Sequence, residues 1–113
     1  MTRARFLVLT GTIYQAPTYG VREGYRQALH LDTETYYFGV TKSKRGWTVY
    51  ELTTGVQCAW GTTRINALDE CRRRLPEIAY WLKKADTDPD STLARAKRAL
   101  AEYAKQSAES ALE

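Results

Sequence analysis

The sequence predicts an α+β domain: an antiparallel sheet of three to four strands packed on one amphipathic helix, followed by a C-terminal helix. Three observations carry this. From Thr35 to Trp60, β-branched and aromatic residues alternate with polar ones, interrupted by two turn signals, Ser43-Lys44-Arg45-Gly46 and Thr53-Thr54-Gly55. After Gly61-Thr62-Thr63 the apolar residues recur at steps of three and four, the period of a helix. Beyond an acidic, proline-containing break the chain is alanine-rich and strongly helix-forming. A chain of 113 residues holds one core. The expected organisation is therefore a domain over 1–84, a linker over 85–91, and a helix over 92–113 that either joins the same domain or serves as an interaction tail.

Arg5 to Tyr14 is rich in β-formers and reads as a first strand, with Gly11 marking a bulge or a close approach. Tyr19 to Leu31 is ambiguous between a short helix and an irregular strand, because Gly24 interrupts it. TYYFGVTK (residues 35–42) and WTVYEL (47–52) form a hairpin, and VQCAW (56–60) is the next strand, entered through Gly55, which tolerates positive φ. Alternation places Phe38, Val40, Trp47 and Val49 together, with Val56, Cys58 and Trp60 sharing one side of the last strand. The opposite face keeps Tyr37, Tyr50 and Leu52, and so calls for a cover of its own.

Thr62 or Thr63 can cap the first helix, whose stripe runs Ile65, Leu68, Cys71, Leu75, Ile78, Ala79, Leu82. Pro76 lies inside that stripe, so two nearly collinear helical pieces are expected. Asp90 or Ser91 caps the final helix, with Leu93, Ala96, Leu100 and Tyr103 or Ala104 on one side.

The formal net charge is +4, and its distribution is uneven. Residues 35–84 carry nine basic side chains against four acidic, a local excess of +5, whereas 85–113 is net −2. A basic central unit attracts polyanions or acidic protein surfaces. Lys42, Lys44 and Arg45 crowd the hairpin tip, while Arg64, Arg72, Arg73 and Arg74 make the first helix basic. Sheet, basic loop and basic helix are also the parts with which double-stranded RNA binding domains straddle grooves. Trp47, Trp60 and Trp81 read as core, and Tyr14, Tyr19, Tyr25 and Tyr36, in less regular surroundings, as an exposed aromatic patch.

Catalytic chemistry finds no footing in these patterns. The one histidine, His30, with Cys58 and Cys71 lacks a fourth zinc ligand and any short ligand spacing, and the two cysteines read as reduced, structural thiols. No pair of acids has a recognisable general acid–base spacing, and no glycine pattern forms a phosphate loop or dinucleotide fingerprint. No enzyme activity, metal or cofactor is expected. The apolar run of residues 6–9 is too short for a leader or a membrane span, so a soluble, cytoplasmic protein is expected.

Trp47, Thr54, Gly55, Gly61, Thr63 and Ala67 together read as a Trp-led strand, a T-G turn, a second strand, and G-x-T-x-x-x-A opening a helix. In this the chain resembles small phage and prophage proteins, over roughly residues 36–84, and its β-β-β-α order is similar to the core of HicB-type antitoxins and of several anti-CRISPR proteins. The resemblance implies a small accessory protein that works by binding. The leading expectation is a non-enzymatic, phage- or mobile-element-type protein that inhibits a host protein or ribonucleoprotein complex. The alternatives are a direct double-stranded nucleic-acid binder using the basic helix and hairpin tip, and a homodimeric structural module paired through the C-terminal helix.

Overall fold

The computed structural model describes residues 2–11 and 17–112, with side chains over 3–11 and 17–106. Five strands precede two helices: β1 (Thr2–Leu9), β2 (Tyr19–Leu31), β3 (Glu34–Ser43), β4 (Gly46–Glu51), β5 (Gln57–Gly61), α1 (Arg64–Thr87) and α2 (Thr92–Leu112). The strands form one antiparallel sheet in the order of the chain, β1-β2-β3-β4-β5. The α+β class holds. The strand count is five where three to four were expected, because the ambiguous segment is a full strand.

Gly24 is the physical reason. A Cβ at that position would lie 2.0 Å from the carbonyl oxygen of Val40, so only glycine lets the two backbones approach. The strand turns a corner there. Residues 19–24 of β2 pair with β1 alone, whereas 27–31 pair with β3 alone. Where the ladder to β3 is given up, the Thr41 hydroxyl donates to the Glu23 carbonyl at 2.8 Å. Beyond the corner, β1 and the first half of β2 curl over the sheet. Phe6 comes to rest against Gly39, where a Cβ would meet its ring at 2.5 Å, and the Leu9 amide donates to the Gly55 carbonyl at 2.8 Å. The second sheet face is thus covered by the sheet's own first strand, with Phe6, Val8, Thr41 and Thr48 buried.

The other face carries α1. Leu29, Phe38, Val40, Val49 and Ala59 from four strands pack on Ala67, Leu68, Cys71 and Leu75. Here β5 differs from the expected alternation: Ala59 points inward, and Trp60 is 45% exposed. A β-bulge leaves Cys58 between the partners of Val49 and Tyr50, so the strand changes parity. Small residues are needed on this side, since a Cβ at Gly61 would sit 2.4 Å from the Ala67 amide nitrogen. Ile65 (69% exposed) and Trp81 (44%) also lie outside the core to which their spacing assigned them.

Thr63 caps α1, its Oγ1 accepting from the Asn66 amide at 3.1 Å. The helix then runs unbroken through Pro76 to Thr87, a single element in place of two pieces, and the connection to α2 narrows to residues 88–91. Ser91 Oγ accepts from the Ala94 amide and opens α2. This helix docks on the domain through buried Ala94, Ala96 and Leu100. Tyr19 holds it, its hydroxyl donating to the Ala96 carbonyl at 3.2 Å and its ring lying 5.5 Å from that of Tyr103. Among the described residues no helix is long and apolar enough to cross a membrane.

Candidate nucleic-acid interface

Antiparallel register puts directly opposed residues on the same face of a sheet. Arg3 opposes Tyr25, Tyr25 opposes Val40, and Lys42, two residues on, opposes Trp47. Arg3, Tyr25, Lys42 and Trp47 therefore form one row across four strands, at the end of the sheet where α1 begins. Arg64, the first residue of α1, lies over it. Its guanidinium carbon is 4.8 Å from the Tyr25 ring centroid and 5.9 Å from that of Trp47, and the two rings are 6.4 Å apart at 37°. These are cation–π distances.

The electrostatics of this end are one-sided. Lys44 and Arg45 occupy the two-residue turn next to Lys42 and are exposed. Among the described residues Lys42, Lys44, Arg45 and Arg64 take part in no ion pair, and the one acid nearby, Glu23, sits 3.6 Å from Arg5 and 4.0 Å from Arg3. The first turn of α1 has no acidic residue, so the positive end of the helix dipole is left unneutralised beside Arg64. Such a placement disfavours the helix and favours an anion.

The remaining expected residues fall elsewhere. Arg72 pairs with Asp69 at 3.1 Å, and Arg73 and Arg74 share Glu70 through bonds of 3.0 Å and 2.9 Å. Hydrogen bonding from Arg73 holds the Glu70 carboxyl below its ordinary range. The arginine run is thus largely satisfied along its own helix. Tyr36 donates to Glu34 at 2.6 Å, which pushes its phenol up to about 12, and Glu34 also meets Lys83 at 3.0 Å. That trio fastens β3 to the end of α1. Tyr19 is committed to α2, and Tyr14 lies outside the described residues.

Comparison of the chain with protein-family models, curated proteins and solved structures gives no match. Function has to be read from the side chains themselves. Away from the basic row, Glu51, 2% exposed, accepts from the amides and hydroxyls of Thr53 and Thr54 at 2.7–2.9 Å, closing the β4–β5 turn. Burial pushes the thiols of Cys58 and Cys71 up to about 12, so both are thiols rather than thiolates at neutral pH. Among the described residues no group of three or more His, Cys, Asp or Glu is placed to hold a metal ion. Arg3 was not singled out by sequence, and Trp47 was assigned to the core, against which it does pack while half-buried; the signal for its place in the row was present, because a two-residue turn at Lys44-Arg45 pairs it with Lys42.

Proposed function

We propose that the chain is a non-enzymatic binding module that engages single-stranded nucleic acid through the row Arg3, Tyr25, Lys42 and Trp47 and the overlying Arg64. The observation that carries this reading is the union of two aromatic rings with Lys42 and Arg64, which have no acid partner among the described residues, at one end of one sheet face. Cations track the phosphates while rings offer bases a stacking surface, a combination suited to single strands. A duplex reading, built on Arg72, Arg73 and Arg74 together with the Lys42–Arg45 tip, is weakened at the helix, where those arginines are bound to Asp69 and Glu70.

Fluorescence anisotropy with a labelled single-stranded oligonucleotide at low salt tests this. Lys42→Glu with Arg64→Glu should weaken binding at least tenfold, whereas Arg72→Gln with Arg73→Gln should leave it nearly unchanged. No binding at low salt, or equal effects of the two pairs, would sink the proposal. A second reading, the inhibitor of a host complex implied by the phage-protein resemblance, gains support from a different place: Trp60, Tyr80 and Trp81 are exposed. Exposed aromatics favour a protein partner.

A further inference from the structure

β5 is an outer strand of the sheet, and such a strand leaves alternate peptide groups without a strand partner. The carbonyl of Cys58, the bulge residue, accepts a long contact, 3.4 Å, from Arg74 Nη1. Beside it, between β5, α1 and the start of α2, a cleft of about 370 Å³ is walled by Val56, Ile78, Trp81, Leu82 and Leu93. A second depression continues along Ala59, Trp60 and Glu70, and Arg74 stands at the boundary of the two. This volume suits a bound group of the size of a large side chain or small ligand.

Sterics select the occupant. α1 lies directly over β5. A second copy joined antiparallel, β5 to β5, would bring its own α1 on the same face within one strand spacing, about 4.8 Å, whereas packed helices need about 8–10 Å between axes. A bare extended segment meets no such conflict. Charge selects its sequence: Arg74, whose Nε is held by Glu70 at 2.9 Å while its Nη1 makes the long Cys58 contact, lies one helical turn before Ile78, about 6 Å along the axis, close to the roughly 6.7 Å between alternate residues of a strand. We infer that the outer edge of β5 and the adjoining cleft accept an extended peptide of a partner protein, bearing a large apolar side chain and, two residues away, a single carboxylate. The apolar group fills the cleft. The carboxylate takes Arg74 Nη1 in place of the weakly held Cys58 carbonyl, which is released to the incoming strand. Glu70, paired with Arg74, and Glu77 on the same rim disfavour a longer acidic run.

Selection of random nine-residue peptides displayed on phage against the full chain tests this. Enrichment of an aromatic or large aliphatic residue two positions from Asp or Glu is expected. The enriched peptide, made synthetically, should shift the amide resonances of Gln57–Gly61. Arg74→Glu should weaken it at least tenfold and prefer the same peptide with Lys in place of its acid; Arg74→Gln, a milder change, should weaken it without inverting the preference. Several results would overturn the inference: no enrichment, a peptide that binds folded Arg74→Glu and Arg74→Gln as well as the unaltered chain, or shifts centred on Tyr25 and Trp47. So would a mass in light scattering that doubles with concentration and falls when β5 is blocked by Trp60→Pro at an exposed position of the strand, which would assign the edge to a second copy.

Discussion

Gly24 and Glu51 show how much single residues decide here. A methyl group at residue 24 would collide with backbone, which cannot swing aside as a flexible side chain would. Gly24→Ala should therefore cost about 2–3 kcal/mol or more, at the upper end of overpacking penalties, and lower the urea midpoint accordingly. In Glu51→Ala the amide and hydroxyl of buried Thr54 would lose their carboxylate acceptor. A loss of about 2–4 kcal/mol is expected on the same measurement, since two buried donors are left unmatched. Both effects are invisible to composition. Gly24 reads as a strand breaker because the sequence holds no record of which backbone will approach it. Glu51 reads as one more surface acid.

At the level of elements, legibility follows locality. The β3–β4 hairpin, the Thr53-Thr54-Gly55 turn with Gly55 at φ +73°, and the Thr63 cap were readable because each depends on residues close in sequence. The inward face of β5 was not: one bulge at Cys58 inverts the parity on which the placement of Trp60 rested. The candidate row was half readable. Lys42, Lys44, Arg45, Arg64 and Tyr25 were singled out by charge and aromaticity, but their convergence needs the β2–β3 register, which no local signal sets. Helix α1 gives a prediction of its own. Pro76 is exposed in mid-helix and deprives the Arg72 carbonyl of its amide partner. Pro76→Ala should raise stability by about 1–3 kcal/mol, read as a higher urea midpoint with unchanged slope. A fall in stability would mean that the ring, rather than the helix, matters there.

For the molecule as a whole, ionisation sets an alkaline limit. Cys58 and Cys71 rise from 9.0 to about 12 on folding, chiefly through burial, and Tyr36 rises from 10.0 to about 12 through its bond to Glu34. Groups whose folded pKa is raised contribute stability fully present below the unfolded value and lost as pH climbs through the folded one. Stability should accordingly hold to about pH 9 and decline between pH 9 and 12, and Cys71→Ala should make that decline shallower when urea midpoints are compared across pH. Salt dependence belongs to the same scale. If the basic row carries binding, log affinity should fall linearly with log salt, with a slope near −0.7 per phosphate engaged. A flat dependence would remove the phosphates from the interface.

The bond from the Leu9 amide to the Gly55 carbonyl also bears on how the chain folds. It joins the first strand to the last turn of the sheet, so the second face closes only after every intervening strand exists. Contacts that span so much chain form late and slowly, because loop entropy must be overcome before they return any stabilisation. During synthesis β1 emerges before the strands that follow it and must wait with Phe6 and Val8 uncovered until Gly55 has left the ribosome. A refolding experiment should show protection of the Leu9 amide lagging behind that of Val40 and Val49. The interval between the two is the time in which this protein is most exposed to aggregation.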